Sequence, residues 1–330
     1  MMNILKCALV LGSLNVFANA AAAQAKQIYV LPTLGGTQSM ARDINEAGVI
    51  CGDSANAQGE SHAALWMNGE VIDLGIFPGG FYSSARAISN RGQVIGTSQL
   101  KTPEGELLSR PFLWDQGTIY QLPALPGADN ASGDDINDNE VIVGTSGGLA
   151  VVWENRQPRS LGTLGGKYSY ASAISSRNWI VGSSMTADYT WHAFLYRDGQ
   201  MIDLGTLGGH SSYANDVNDR GQITGTIEMS DGRSRAFIWE DGTMRDVGVA
   251  HFGDAGQNGI QAVSSSGLAV GSGRFTPGLE SAAIWSADGS VYDLGGLPGA
   301  VRSQAFGINN KGVVVGFSAT DAEFQAVIWK

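Results

Sequence analysis

One repeat, legible seven times, constrains this chain more than any other feature. Copies aligned on the residue after an Asp-like position begin at Leu31, Leu74, Leu122, Leu161, Leu204, Val247 and Leu294. The separations are 43, 48, 39, 43, 43 and 47 residues, with 37 residues remaining to Lys330. That period matches four-stranded propeller blades, units too small to bury an apolar face alone and therefore obliged to stack on neighbours. Each copy opens with a hairpin of fixed length: Ile44, Ile88, Ile136, Ile174, Val217, Val263 and Ile308 precede Gly52, Gly96, Gly144, Gly182, Gly225, Gly271 and Gly316 by eight residues each. The intervening Gly48, Gly92, Gly221, Gly267 and Gly312, with Asn178 in the fourth copy, suit a type I turn followed by a bulge, which needs a residue tolerant of positive φ. The third copy carries Glu140 there, just after Asn139, and its turn is expected to shift by one residue.

The second half of each copy reads as a strand ending in an aromatic: Trp66, Trp114, Trp153, Tyr196, Trp239, Trp285 and Trp329. Large apolar plates at one repeated position fill the wedge between adjacent blades. A short Gly turn then leads into a fourth strand such as Gln200-Met201-Ile202-Asp203-Leu204. The seventh copy stops at Ile328-Trp329-Lys330 without that strand, and Gln27-Ile28-Tyr29-Val30-Leu31 has the pattern to supply it. The expectation is an all-β, seven-bladed β-propeller of four-stranded blades, one domain over 26–330, closed by the N-terminal strand pairing into the last blade. Closure removes the open sheet edges that invite aggregation.

Residues 1–25 read as a cleaved Sec-type signal peptide. Lys6 lies in its first part, Leu5 to Phe17 are mostly apolar, and Ala18-Asn19-Ala20 offers small residues for cleavage. The apolar stretch is too short to span a bilayer. The expected product is soluble, monomeric, and secreted or periplasmic. Removing the leader takes Cys7 with it and leaves Cys51 at a position where other copies hold Ile, Val or Thr, a small buried hydrophobe. A formal charge of −11, with only 15% charged residues and no basic run, excludes a phosphate backbone as partner.

The copies resemble the HAF repeat of extracellular bacterial proteins. The His-Ala-Phe run is His192-Ala193-Phe194, weakened in His62-Ala63-Ala64 and Arg235-Ala236-Phe237. The accompanying Asp-Leu-Gly-Thr-Leu-Gly-Gly run is Asp203 to Gly209, nearly repeated at Ser160 to Gly166. The resemblance covers the whole mature chain and implies export and a repeat fold, but no activity and no catalytic residue. The sixth copy departs from it at Val249-Ala250-His251-Phe252-Gly253.

Chemistry-bearing motifs read as parts of the repeat. Gly144-Thr145-Ser146-Gly147-Gly148 fits a nucleophile elbow, yet Gly144 and Ser146 repeat as Gly96 and Ser98 and as Gly182 and Ser184. Asp43-Ile44-Asn45 and Asp216-Val217-Asn218 look like half of a calcium loop but lack the later ligands, and Asp135 to Glu140 lacks the Gly. The four histidines have no metal spacing. No cofactor and no metal are expected.

Function is placed by topology. The turns between the first and second, and third and fourth, strands of a blade share one tight rim. The loops between second and third strands share the other, and there the distance from repeated Gly to aromatic is 14, 18, 9, 14, 14, 14 and 13 residues along the seven copies. Variable loops on a rigid ring carry recognition. Tyr82, Tyr168, Tyr189, Trp191, His210 and Phe252 belong to that rim, with Arg233, Arg235, Arg110 and Arg302 as charged candidates. Amphipathic rings with a few polar groups suit a glycan or an extended protein segment. The expectation is a non-enzymatic binding module for such a ligand in the cell envelope or outside the cell. A polysaccharide lyase or hydrolase with acids on the same face, and a scaffold or inhibitor of a partner protein, are the alternatives.

Overall fold

The computed structural model describes residues 26–248, 259–276, 279–287 and 289–330. The expected leader at 1–25 lies outside the described residues, as does the departing loop of the sixth copy with Phe252.

Every named element is a strand. In the first copy they are Gly35–Ile44, Ile50–Asn56, Ser61–Met67 and Glu70–Gly75, each antiparallel to the next. The invariant hairpin is made as its length requires. The Gly48 N–H donates to Asn45 O at 3.0 Å, the Asn45 N–H to Val49 O at 3.0 Å, and Gly48 sits at φ 85°. The third copy departs from expectation. Its turn is not shifted: the Glu140 N–H donates to Asn137 O at 3.1 Å, and Glu140 itself takes the left-handed conformation at φ 58°. The Arg156 guanidinium at 2.9 Å and the Gln93 amide at 3.0 Å hold its carboxylate there and stand in for the freedom a glycine supplies.

Five four-stranded sheets cover 35–75, 80–121, 131–162, 165–205 and 211–246. The remaining strands form an eight-stranded sheet, in which the unit over 259–295 is strand-paired to the unit over 302–329 at one residue pair alone, Glu280 with Arg302. Ile28–Val30 completes the second unit, pairing antiparallel with Val327 to Trp329.

The core lies between sheets. Among the described residues there are seven apolar clusters, each shared by consecutive units. The one joining the ends packs Ala41, Ile44, Ile50 and Trp66 of the first sheet on Val315, Ala326 and Ile328 of the last. Trp153, Trp285 and Trp329 are fully buried in such clusters, as the repeated aromatic predicts.

The repeat's polar residues tie neighbouring units together. Ser83 Oγ donates to Gly75 O at 2.7 Å and accepts the Ala63 N–H of the preceding sheet at 2.8 Å, and Ser169, Ser212 and Ser303 do the same. Ser39 accepts the Ala326 N–H at 3.0 Å, stitching last sheet to first. The HAF and Asp-Leu-Gly runs are two halves of one clasp: His192 Nδ1 bonds Asp203 at 2.9 Å, while Asp203 accepts the Gly205 N–H at 2.7 Å. His62 with Asp73 repeats this at 2.8 Å, and Arg235 with Asp246 replaces imidazole by guanidinium. These partners explain why the two runs travel together at a fixed interval.

Candidate functional site

All seven hairpins converge on one axis. A cavity of about 220 Å3 there is lined by Ile44, Ile88, Ile136, Ile174, Val217, Val263 and Ile308, one from each copy, together with the polar residues of their turns. The residues around these anchors alternate in a way not visible until the axis is known. The copies read Asp-Ile-Asn at 43, Ala-Ile-Ser at 87, Asp-Ile-Asn at 135, Ala-Ile-Ser at 173, Asp-Val-Asn at 216, Ala-Val-Ser at 262 and Gly-Ile-Asn at 307. Each Asp serves two copies. Asp43 accepts the N–H of Ile44 at 2.7 Å and of Ile88 at 2.9 Å, Asp135 those of Ile136 and Ile174 at 2.7 Å, and Asp216 those of Val217 and Val263 at 2.7 Å. Asn45, Asn137 and Asn218 likewise donate to Ser89, Ser175 and Ser264 O, and Asn309 donates to Asn45 O at 3.2 Å across the chain ends.

Burial pushes the carboxyls of Asp43 and Asp135 above the ordinary range and that of Asp216 up to about 6. The accepted N–H bonds pull them partly back, and mutual repulsion among the three pushes further up. The half calcium loops are thus spent on backbone groups: the Asp carboxylates as above, and Asn45 Oδ1 on the N–H groups of Ala47 and Val49 at 3.1 and 3.0 Å. No group of three metal-ligating side chains occurs among the described residues. The elbow-like Ser146 is fully buried and accepts the Leu125 N–H at 2.9 Å, a role Ser184 repeats for Leu164.

Two residues before each anchor, the axis widens into a neck of about 460 Å3. Arg42, Arg86, Asp134, Ser172, Asn215, Gln261 and Phe306 all line it, one per copy. Arg42 and Arg86 repeat one chemistry and Asn215 and Gln261 another, while Asp134, Ser172 and Phe306 stand alone, so the neck offers a ligand no repeated symmetry.

From the neck a notch of about 880 Å3 opens over the second to fourth copies. Its cause is a length difference. The third copy turns from Ile142–Ser146 into Leu149–Glu154 through Gly147 and Gly148 alone, both at positive φ, whereas the second copy extends Val94–Lys101 and Leu107–Asp115 well beyond it. Tyr82, Tyr168 and Tyr170 line the gap with Gln99, Asn130 and the Ser84, Ser132 and Thr145 hydroxyls. Tyr168 lies against Gly148, where a Cβ would stand 2.9 Å from its Cδ1. Tyr170 is 40% exposed and stacks on Trp191, centroids 5.1 Å apart at 22°.

Of the rim residues expected from sequence, Tyr82 and Tyr168 meet in the notch, and Trp191 backs it through Tyr170. Tyr189 stands outside at a loop tip, 77% exposed. The His210 N–H donates to Glu228 O at 2.7 Å, Arg233 pairs with Asp231 at 3.5 Å, and Arg235 is engaged by Asp246; none of these lines the notch. Phe252 lies outside the described residues. Tyr82 and Tyr168, expected in loops, lie instead on the first strands of their sheets, Gly80–Ile88 and Gly165–Ile174, and sequence reasoning missed Arg86 and Tyr170 on those same strands. Counting back two and four residues from each anchor along an alternating strand would have found both.

No protein-family model matches the chain, and no curated protein matches it. Solved structures do. The β-propeller domain of the Trilobed protease from Pyrococcus furiosus aligns with a TM-score of 0.53 at 14% identity, over 93% of this chain and 94% of that one. A chain of the Mitotic Checkpoint Complex gives 0.55 at 14%, over 93% and 92%. Virginiamycin B lyase from Staphylococcus aureus gives 0.51 at 11%, over 93% and 99%. At such identities the likeness concerns the fold alone, and the fold is all-β of the β-propeller kind.

Proposed function

We propose that the chain is an exported, non-enzymatic binding protein that takes a glycan in the notch over its third copy. Its frame in this reading is one domain over 26–330, a ring of seven four-stranded blades beginning near 31, 74, 122, 161, 204, 247 and 294, with Ile28–Val30 as the closing strand. Supporting the count are the seven inter-sheet cores and the single residue pair that holds the eight-stranded sheet together. The shared clasp of the HAF and Asp-Leu-Gly runs supports membership of the HAF-repeat proteins, and with it export.

One observation carries the functional reading: three tyrosines from two copies converge, with amide and hydroxyl groups between them, on a gap made by a shortened hairpin. Aromatic faces cover the C–H faces of sugar rings while flanking polar groups bond the hydroxyls. Replacing Tyr82, Tyr168 and Tyr170 together by Ala removes three stacking surfaces of about 0.5–1.5 kcal/mol each, so binding to immobilised envelope glycans should fall at least ten-fold. Thermal melting should move by only a few degrees, since these rings are not core. Unchanged glycan binding by the triple variant, or capture of a single stoichiometric protein with no glycan bound, would remove the assignment. Fractionation of the native cell tests export directly, and a purely cytoplasmic product would sink that part.

A further inference from the structure

Notch and neck meet along Arg86, Ser132, Thr145 and Tyr170, which line both. The two arginines at this junction are not equivalent. Arg42 is engaged, its Nε 3.4 Å from Asp53 and its guanidinium 5.0 Å over the Phe306 ring. Arg86 is exposed into the cavity and has no ion pair among the described residues. The acid whose field it feels, Asp134, is buried, takes its hydrogen bond from Ser132 at 3.1 Å, and makes no ion pair with Arg86. A second group in the same wall is also unanswered: Thr97 Oγ1 is buried without a hydrogen-bond partner. The opposite side of the mouth is self-satisfied. There a hollow of about 200 Å3 contains Arg302 and Tyr213, but Arg302 is 2.9 Å from Glu280 and the Tyr213 hydroxyl bonds Glu228 at 3.4 Å.

We infer that the notch takes a sugar chain bearing carboxylates, a uronic-acid polymer, with one carboxylate on the Arg86 guanidinium and the adjoining ring faces on Tyr168 and Tyr170. A planar fork of N–H donors matches a carboxylate bidentately, and an unpaired guanidinium at the inner end of an aromatic-lined groove is the arrangement that selects an acidic sugar over its neutral analogue. This rests on the glycan reading of the notch and adds its charge.

The test is calorimetric titration of the chain over 26–330 with oligomers of galacturonate, mannuronate and hyaluronan, with their carboxyl-reduced neutral counterparts, and with a sulfated neutral oligomer. At least one uronic-acid oligomer should bind ten-fold or more tightly than its reduced form, the gap expected of one charge-assisted hydrogen-bonded pair. Arg86→Gln should erase that preference and Arg86→Lys restore part of it, with melting lowered by no more than a few degrees, since Arg86 is exposed and loses only its field on Asp134. Tyr168→Ala should weaken acidic and neutral oligomers alike. Equal affinity for acidic and reduced oligomers, unaffected by Arg86→Gln but lost with Tyr168→Ala, overturns the carboxylate assignment and leaves the glycan site standing. Binding of the sulfated oligomer alone also overturns it. A folded chain that binds no oligomer overturns both readings.

Discussion

Residues 43, 135 and 216 show how a buried charge can be structural. Each carboxylate answers two N–H groups from two sheets, and hydrogen bonds to a charged acceptor are stronger than neutral ones. Burial works the other way and wins at Asp216, whose pKa lies at about 6. A carboxyl with a folded pKa above its unfolded value costs stability once ionised, so this contribution falls as pH rises from about 4 to about 6, by up to about 3 kcal/mol for a two-unit shift. Asp216→Asn cannot titrate, and its amide can accept only one of the two N–H groups while its NH2 faces the other. The variant should therefore melt well below the parent at pH 4, and the gap should narrow steadily towards pH 7. Melting curves across that interval check this; a gap that widens with pH would show that the ionised Asp216 is the favoured form in the fold.

The hairpin is the element that decides where a ligand can go. Seven hairpins share their inner turn because every copy must reach the axis with the same register. A slip of one residue would turn its apolar anchor outward. The outer loops face no such demand. Loop length costs little in stability, since closure entropy grows only logarithmically, and so the third copy can lose residues without loss of its sheet. Its truncation to Gly147-Gly148 opens the notch, and Gly148 leaves room for the Tyr168 ring where any side chain would meet it. Inserting five Gly/Ser residues between Gly147 and Gly148, which restores the commonest distance of 14, should shift Tm by no more than a few degrees. Ligand binding should be lost, because the notch is filled. Retained binding in that insertion variant would place the site elsewhere on the rim.

Across the whole molecule, an odd number of copies meets a pairwise device. Three Asp clasps serve six anchor N–H groups, and the seventh copy has Gly307 in place of Asp or Ala. A Cβ at Gly307 would stand 3.0 Å from the Asp43 Cα and 3.2 Å from Arg42 O, so the last unit approaches the first more closely than a side chain permits. The seam is held instead by Asn309 and Asn310 on Asn45 and Glu46, by Ser39 on Ala326, and by Ile28–Val30 on the final strand. Deleting 26–31 strips that strand and exposes an edge of Val327 to Trp329, with loss of the Gln27–Lys330 and Leu31–Ala326 backbone bonds. The truncated chain should melt at least three to six degrees lower, the equivalent of roughly 2–4 kcal/mol in a chain of this size, and should aggregate. Unaltered melting would mean that the seam does not depend on the N-terminal strand.

The strands, the fixed inner turn and the sheet-filling aromatics were legible in the amino-acid order because they answer local demands repeated seven times: alternation, positive φ at Gly48 and its equivalents, and a plate such as Trp153 in every wedge. The rim loops were legible as well, through their unequal lengths; Tyr82 and Tyr168 were singled out as loop aromatics, though both belong to first strands. What the order alone does not reveal is convergence. Arg86, Asp134 and Tyr170 belong to different copies, tens of residues apart, and look like ordinary strand residues until packing of the sheets turns equal register into shared space. The same holds for Glu140, whose left-handed turn depends on Arg156 and on Gln93 of another sheet. Local sequence dictates each unit; only packing of the units decides which side chains face one another.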